Sequence, residues 1–430
     1  MTRLRPGTRY RYRFVQGRTS SPVGTFRTAP LPTANQTIRF AFSGDTDAQK
    51  APGARVPFYN AFQVMSRMAA ENNNFNVHIG DTIYSDSEVP GAGALARTVP
   101  AKWGKYRQNM VLANHQRLRR ATGLYSHWDD HEFINDFARA EHGSAIYNAG
   151  VKAFRDYAPV SYTPANGLYR SFRWGRNLEV FFLDERSFRS AKASSGGTCD
   201  NSGRPDFAPT APQSTRNLFA LVAPSLANPV PQACKDRIND PRRTFLGTRQ
   251  FNAFTSAVRR STATWKVVMN EMPIQQFYVN PYDGWEGYAA ERRRLMDRVA
   301  AVRNVVFLST DVHANFVNTI KFSTLGENGP TVDTGVLEVV TGPVATMTSD
   351  REFDRTLNRP GTGKLVASAF FKPPPPGGVG MKCAATDVFS YSEVRVTATS
   401  LTITPKDLNG RGVKDADGTS PCGPFVLAHR

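Results

Sequence analysis

Histidine and cysteine are scarce in this sequence of 430 residues, which contains seven histidines and four cysteines. No two cysteines form a CxxC pair, so a zinc ribbon is not predicted, and the few histidines argue against a histidine-rich zinc site. No apolar run approaches the length of about 18 residues that a membrane-spanning helix requires. Residues 1–14 are rich in arginine and lack an apolar stretch, so no signal peptide is predicted in this chain.

Several common catalytic motifs are also missing. The sequence contains no GxSxG nucleophile elbow, no HExxH zinc motif, and no GxGxxG that follows a predicted strand. Residues 361–364 read Gly-Thr-Gly-Lys, but they lack the earlier glycine and the Ser/Thr of a phosphate-binding loop. These absences argue against serine hydrolases, zincins, dinucleotide-binding enzymes and P-loop NTPases.

Acidic residues are outnumbered: 36 aspartates and glutamates face 54 lysines and arginines, which gives a formal net charge of +18. Such an excess is compatible with a nucleic acid, an anionic surface or an anionic substrate as partner. The basic residues are scattered, and the clusters at 259–260 and 292–294 are typical of solvated helix faces. Specific nucleic-acid binding is therefore not predicted.

The four cysteines lie in segments rich in glycine, proline and asparagine. An even number of cysteines in loops favours disulfides and an oxidising compartment, and the alternative is four free thiols. Four cysteines allow three pairings, which the sequence does not decide. The loop context favours the two local pairs, Cys199–Cys234 and Cys383–Cys422.

A repeating pattern organises most of the chain: short apolar β-type segments end in polar residues, and helical patterns lie between them. The predicted strands are residues 38–43, 75–79, 178–183, 265–269, 305–308 and 336–340. The predicted helices are residues 58–71, 250–260 and 287–301. Alternating strands and helices predict an α/β sandwich, in which ligands bind beyond the carboxyl ends of the strands.

The two ends of the chain differ from this pattern. Residues 1–30 are interpreted as the β-rich remnant of an N-terminal domain, which residues 30–35 link to a main domain at 36–430. In that domain, 372–378 form a rigid Pro/Gly-rich loop, and 392–404 alternate as a closing β-hairpin or edge strands would.

Two aspartates follow the first predicted strands directly. Asp45 comes after Ser43-Gly44, where a carboxylate suits a hard metal ion, although an Asx-turn or helix N-cap is the alternative. Asp81 follows Gly80, is placed to bridge two metals, and is followed three residues later by Tyr84. The alternative for this motif is a capped helix start with a packed tyrosine.

The run Trp128-Asp-Asp-His-Glu132, with Asn135 close behind, is the most specific motif. Three acids around a histidine, beside a tryptophan, are costly to hold together unless cations neutralise them. A charged loop in open solvent is the alternative. An oxygen-dominated site of this kind favours ferric iron, calcium, magnesium or manganese.

Two further pairs follow later strands. Asp311 and His313 stand at i and i+2, so on extended backbone both side chains would face one metal centre; a core histidine is the alternative for His313. Arg186, after Asp184, offers a planar fork for phosphate oxygens, and a structural Asp–Arg pair is the alternative.

Taken in order, these motifs resemble the PhoD-type alkaline phosphatase family, within the calcineurin-like metallophosphoesterases. The resemblance extends over residues 36–345, and residues 1–30 resemble the end of that family's N-terminal β-sandwich domain. Its matching segments are 80–84, 128–135, 183–186, 265–268, 281–288 and 311–313. It implies a four-layer sandwich of two mixed β-sheets flanked by helices, and export from the cytoplasm to a secreted or cell-surface location.

The resemblance also implies a multinuclear site of ferric iron and calcium that hydrolyses phosphomonoesters, with manganese or magnesium as the alternative metals. The family has Ser-Cys after the first strand, with the cysteine on iron, and here Ser43-Gly44 stands there. Asp45 is expected to take over that role.

The expected site has two ions that Asp81 bridges. The first ion is completed by Asp45, Tyr84 and His313. The second is held by Asp130, Asn135 and Asp311.

The expected reaction is in-line attack of a metal-bound water that has lost a proton, without a covalent phospho-enzyme. His131 protonates the leaving oxygen and Arg186 holds the non-bridging oxygens. A phosphodiesterase or phospholipase on the same site is one alternative. A degenerate anion-binding protein without activity is the other, and the oligomeric state is left open.

Overall fold

The structure is a computed structural model that describes residues 4–221, 223–326 and 331–430. Residues 1–3, the beginning of the predicted N-terminal remnant, lie outside the described residues. The strands are β1 (Arg9–Tyr12), β2 (Val15–Gln16), β3 (Thr19–Ser20), β4 (Gly24–Arg27), β5 (Ile38–Ser43), β6 (Phe75–Ile79), β7 (Gly123–His127), β8 (Arg170–Trp174), β9 (Leu178–Phe182), β10 (Asp200–Asn201), β11 (Arg204–Pro205), β12 (Trp265–Met269), β13 (Val305–Ser309), β14 (Asn315–Lys321), β15 (Asp333–Val340), β16 (Cys383–Ala385), β17 (Ser390–Val396), β18 (Ser400–Asp407) and β19 (Phe425–Ala428).

Helices of mostly two to four turns connect these strands. They are α1 (Gln63–Ala70), α2 (Val99–Met110), α3 (Ala113–Ala121), α4 (Arg139–His142), α5 (Ser144–Tyr157), α6 (Gln213–Phe219), α7 (Gln232–Ile238), α8 (Thr248–Arg260), α9 (Ala289–Val299), α10 (Ser349–Thr356) and α11 (Thr362–Val366). A 3₁₀ turn at Trp285–Tyr288 precedes α9, and a π-helical turn at Ala367–Phe371 follows α11. Among the described residues, no helix is both long enough and apolar enough to cross a lipid bilayer.

Two mixed sheets form the centre of the molecule. One has the order β19-β18-β17-β5-β6-β7, and the other has the order β16-β14-β15-β13-β12-β9-β8. Strands β5, β6 and β7 run parallel, as do β9, β12, β13 and β15. Carboxyl ends of parallel strands share one edge of a sheet, so the loops that follow these strands gather together.

The inner faces of the two sheets pack against each other. Phe40 and Val77 of one sheet share a buried apolar cluster with Val180, Val267 and Leu308 of the other. Helices α8 and α9 cover the outer face of the seven-stranded sheet, and α1 and α3 cover the six-stranded sheet. The result is the predicted four-layer sandwich. Because the central strands are covered on both faces, they read as continuous apolar runs in the sequence.

The first predicted helix is shorter than expected, because residues 58–62 are irregular and α1 begins only at Gln63. The C-terminal hairpin is confirmed, but it does not lie at an edge. Strand β17 pairs with both β18 and β5, so the segment after the Pro/Gly-rich loop completes the interior of the six-stranded sheet. The hairpin therefore belongs to the core of the domain.

The N-terminal residues form a small separate ladder in which β1 pairs with β4, and β2 pairs with β3. The ladder contacts α3 through two hydrogen bonds. Thr25 Oγ1 donates to Ala121 O at 2.6 Å, and Tyr12 Oη donates to Arg119 O at 3.3 Å. The division into domains at 1–30 and 36–430 stays a prediction.

Both predicted disulfides are present, and they bridge Cys199 to Cys234 and Cys383 to Cys422. The first closes the loop that carries β10, β11, α6 and α7. The second ties β16, at the edge of the seven-stranded sheet, to the loop between β18 and β19. No free cysteine is present, because the two bridges use all four.

Candidate active site

The polar rim lies where the parallel strands of both sheets end. Asp45 follows β5, Asp81 follows β6, and Asp129 follows β7 by two residues. From the other sheet, Asp311 and His313 follow β13. The predicted convergence of these residues is therefore what the topology produces.

Asp45, Asp81 and His313 form the first group of possible metal ligands, in which one ligand atom of each lies within 4.8 Å of the others. Tyr84 joins this group through its hydroxyl, which lies 3.0 Å from His313 Nε2. Its ring stacks on His131 with a centroid distance of 4.0 Å. All four residues predicted for the first ion are thus brought together.

Asp81 and Asp130 connect this group to a second. Asp81 also groups with Asp130 and His131, and Asp130 groups in turn with Asp129 and Asp311 at the same 4.8 Å limit. The membership of Asp81 in two groups supports its predicted position between two ions.

Asn135 lines the same cavity as Asp81 and Asp130. Its side chain is exposed and donates a hydrogen bond from Nδ2 to Asp136 Oδ1 at 3.1 Å. Asp130 instead forms a further group with Asp136 and Asp283. The acids near the second position are therefore more numerous than the sequence predicted.

Asp311 and His313 do not lie on the extended backbone that was assumed for them. Their φ angles are 69° and 52°, in the left-handed region, so the chain turns between them. Asp311 accordingly joins Asp129 and Asp130, whereas His313 joins Asp45 and Asp81. This geometry is compatible with the prediction that both residues are metal ligands. The assumption of an extended backbone with both side chains on one face was wrong.

Four of the seven predicted ligands share a left-handed backbone. Asp45 has φ 66° and Asp81 has φ 48°, in addition to Asp311 and His313. A non-glycine residue in this region costs roughly 1–3 kcal/mol, and such residues concentrate at functional sites. Gly80, with φ 71°, is required here for a second reason, because a Cβ atom would lie 2.5 Å from Asp129 Cβ.

Arg186 lies fully buried beneath the rim, where its guanidinium donates to carboxylates. The Nε atom donates to Asp129, one terminal nitrogen donates to Asp283 at 2.7 Å, and the other donates to Asp311 at 3.4 Å. Asp184 is not its side-chain partner: its carboxylate accepts from Trp128 Nε1 at 3.2 Å and from the backbone of Leu168 at 2.8 Å. The predicted contact of Arg186 with phosphate stays a prediction.

His131 is held in place by a carboxylate that the sequence analysis did not single out. Its Nδ1 lies 2.6 Å from Asp86 Oδ1. Burial lowers the pKa of His131, but the neighbouring carboxylates of Asp130, Asp81 and Asp86 outweigh it and raise that pKa well above its usual value. Glu132 has a structural role, since it accepts from the backbone of Thr82 and of Asp129 and so joins two rim loops.

The residues of the rim fit metal ions. Asp45 Oδ2, Asp129 Oδ2, Asp130 Oδ1 and His313 Nδ1 are buried and have no hydrogen-bond partner within the described protein. Burial raises the pKa of Asp45 and Asp81 well above the usual value, and neighbouring carboxylates add to it. Buried, unpaired carboxylate oxygens gathered this closely are balanced by cations, and the donor set suits hard ions.

A sequence model of PhoD-like phosphatases matches residues 50–372. The chain belongs to the PhoD-like phosphatase family. Alkaline phosphatase D of Bacillus subtilis (strain 168) is 25% identical to it over 350 residues, which cover 74% of this chain and 53% of that protein. The chain thus spans about half the length of this curated relative.

Solved structures agree with the PhoD-like fold. A structure of PhoD superposes with a TM-score of 0.71 at 21% identity, over 99% of this chain and 75% of that one. A purple acid phosphatase from yellow lupin (Lupinus luteus) seeds reaches a TM-score of 0.55 at 12% identity, over 99% of this chain and 64% of that one. These likenesses confirm the fold class.

Gly44 marks the departure of this chain from the Ser-Cys pair expected of PhoD-like proteins. A Cβ atom at Gly44 would lie 2.3 Å from the carbonyl oxygen of Ile79, so this backbone admits no cysteine there. The next residue, Asp45, is the one that reaches Asp81 and His313. The expected replacement of the cysteine by Asp45 is therefore compatible with the packing.

Three acids of this PhoD-like site were missed from the sequence: Asp86, Asp136 and Asp283. Asp86 lies two residues after Tyr84, and Asp136 directly follows Asn135, so both stand beside predicted residues. Asp283 lies within the segment 281–288 that carried part of the family resemblance. The only signal in the sequence for these three acids was their position within or beside a segment that resembles the family.

Proposed function

We propose that the protein is a metal-dependent phosphoric ester hydrolase of the alkaline phosphatase D type that acts on phosphomonoesters. The observation that carries the proposal is the pair of ligand groups that share Asp81 at the carboxyl ends of the central strands. Membership in the PhoD-like phosphatase family supports the reaction class. A phosphate-ester substrate and an extracytoplasmic location belong to the same proposal, and the disulfides support the location.

In this proposal Asp45, Asp81, Tyr84 and His313 would hold one cation, and Asp81, Asp130, Asn135 and Asp311 would hold a second. Ferric iron and calcium are the proposed ions, with manganese or magnesium as the alternative. When bound, such cations lower the pKa of a coordinated water and neutralise phosphoryl oxygens.

The chain itself supplies proton transfer and positioning. Hydrolysis breaks the P–O bond to the alcohol, a water oxygen bonds to phosphorus, and the leaving oxygen gains a proton. His131 lines the cavity beside Asp81 and Asp130 and is proposed as the donor of that proton. Arg186 fixes Asp129 and Asp311 by charge-assisted hydrogen bonds, which keeps the carboxylates in place before substrate arrives.

The proposal is tested by elemental analysis of the native protein together with assays on a phosphomonoester and a phosphodiester. Stoichiometric metal and hydrolysis of the monoester are expected. A preference for the diester would move the function to the phosphodiesterase class on the same site. Protein that purifies without stoichiometric metal and hydrolyses neither ester would identify a non-catalytic binding protein.

Asp86 is expected to act as the positioning residue for His131. The Asp86→Asn variant should lose roughly 10- to 100-fold in kcat, because a partner that orients a functional histidine typically contributes that much. KM should change little, since Asp86 does not line the cavity. Steady-state kinetics check this, with Glu88→Gln as a nearby control. An equal rise in KM without loss of kcat would contradict the positioning role.

The metal identity gives a prediction about colour. Burial and the neighbouring Asp81 and Asp45 raise the pKa of Tyr84, so the cation-free phenol keeps its proton. A ferric ion at this position would remove that proton and give a broad visible charge-transfer band. Iron-loaded wild type should be violet or pink, and Tyr84→Phe colourless at equal iron content. A band that survives in Tyr84→Phe would show another ligand, and active protein without iron would exclude ferric chemistry.

The disulfides are expected to contribute to stability. Cys199 and Cys234 are 35 residues apart, and replacing both by serine should lower the free energy of unfolding by roughly 3–4 kcal/mol on the chain-entropy account. Urea denaturation of the oxidised wild type and the double variant measures this. Peptide mapping without reduction is the accompanying check, and four free thiols in protein from an oxidising compartment would contradict it.

A further inference from the structure

The candidate site lies in a cavity, the chamber, that aromatic side chains also line. The cavity has a volume of about 230 Å³. Its lining includes the rim residues Asp81, Asp130 and His313. It also includes an apolar wall with the side chains of Phe207, Phe277, Val279, Phe316, Phe353 and Phe371.

The aromatic wall is firmly packed. Phe371 lies against Phe277, Phe316 and Phe353, with ring centroids 5.8, 5.2 and 6.3 Å away. Phe277 and Phe353 are only half-buried, so part of each ring faces open space. The packed side of the wall fixes these rings, and their open side presents a preformed apolar surface. Such a surface reduces the conformational entropy that the side chains lose when a ligand binds.

The chamber offers no cationic side chain to a second anionic group. Its lining includes Asp136, Asp283 and Glu352, and within the described residues no lysine or arginine lines it. The nearby cations Arg186, Arg189 and Lys192 lie behind this lining, where they pair with Asp283 and Asp136. A second phosphate or a nucleic-acid strand attached to the ester would meet carboxylates and aromatic rings.

We propose that this chamber binds the alcohol part of the substrate, and that this part is a neutral aromatic or bulky apolar group. The proposal rests on the phosphoesterase function proposed above, because it places the phosphoryl group at the adjoining rim. The cavity, which the phosphoryl group shares, has a volume of about 230 Å³, and a dry apolar cavity of about 150 Å³ holds benzene in another protein. Burial of the alcohol part against Phe277 and Phe353 then favours esters of bulky apolar alcohols over esters of small alcohols.

The test compares two esters of primary alcohols, benzyl phosphate and ethyl phosphate, on the metal-loaded protein. The kcat/KM for benzyl phosphate should exceed that for ethyl phosphate by roughly 10- to 100-fold, the range expected when a phenyl-sized group is buried. Phe277→Ala and Phe353→Ala should each reduce this ratio at least about fivefold. Phe14→Ala, which removes a ring 73% exposed on the N-terminal hairpin, is the matched control.

A variant that fills the chamber tests whether a reduced ratio in the alanine variants comes from impaired folding. Val279→Trp should abolish the preference for benzyl phosphate, and a urea unfolding midpoint close to that of wild type would show that the variant is folded. An unchanged benzyl-to-ethyl ratio in all three variants would overturn the proposal. Equal or better turnover of phosphocholine than of benzyl phosphate would also overturn it, since a cationic alcohol would then be the occupant.

Binding measurements separate this inference from the function beneath it. Calorimetry with benzylphosphonate and ethylphosphonate needs no turnover. If neither ester is hydrolysed but benzylphosphonate still binds more tightly, and Phe353→Ala removes the difference, the hydrolase assignment fails and the chamber assignment stands. If hydrolysis proceeds without any benzyl preference in rate or binding, the chamber assignment fails alone.

Discussion

The Asp81→Asn variant will lose kcat by roughly 10³-fold or more, because Asp81 belongs to both ligand groups and its loss would disturb both proposed ions. The fold will be retained. Asparagine is nearly the same size as aspartate and tolerates the left-handed backbone that Asp81 adopts at φ 48°. Steady-state kinetics with metal quantified in the same samples make the measurement.

Asp47→Asn is the control for this experiment. Asp47 is also buried and lies two residues from Asp45, but its carboxylate accepts from the backbone of Gln49 at 2.8 Å and belongs to none of the ligand groups among the described residues. It should keep activity close to wild type. An Asp81→Asn variant that keeps more than a tenth of the activity at unchanged metal content would remove the bridging role.

Replacing Arg186 by methionine should produce the largest loss of stability. The guanidinium is buried among Asp129, Asp283 and Asp311. Methionine leaves Asp129 and Asp311 without this cation, whereas Asp283 keeps its ion pair with Arg189. Removing one partner of a buried ion pair typically costs about 3–5 kcal/mol. Urea denaturation in the presence of a chelator measures the change, because added metal would partly replace the missing charge.

Arg242→Met is the matched control, because it removes an ion pair with Asp240 whose arginine side chain is 88% exposed. Its unfolding midpoint should equal that of wild type, since exposed ion pairs contribute little. A similarly small effect for Arg186→Met would show that the rim carboxylates are protonated or separated in solution, and it would weaken the assignment of the buried cluster.

The central strands could be predicted from the sequence because burial on both faces makes them continuous apolar runs. Strand β12, Trp265–Met269, has every residue buried and was predicted with its correct bounds. Helix α3, Ala113–Ala121, was missed because its residues are mostly polar and it buries only His115 and Leu118. The sequence therefore reveals an element to the extent that the core covers it.

The site was predictable where a ligand directly follows a strand, as Asp45 and Asp81 do. Asp283 could not be placed in this way, because it lies at the end of a long loop after β12 and returns to the rim only through its contacts with Arg186 and Arg189. The turn between Asp311 and His313 could not be predicted either, since left-handed backbone at two residues on either side of Val312 carries no pattern in the sequence. The sequence therefore predicts ligands that follow a strand, but it does not predict which distant loops contact the site.

The left-handed backbone of the predicted ligands also limits which substitutions can raise the thermal stability of this protein without loss of activity. Glycine at position 45 would relieve both the backbone strain and the repulsion between Asp45 and the neighbouring buried carboxylates, so it should raise the melting temperature of the cation-free protein. A directed-evolution screen scored by heat resistance alone would therefore enrich substitutions at this position and collect inactive variants. Selection for thermal tolerance in this scaffold has to be coupled to turnover in every round.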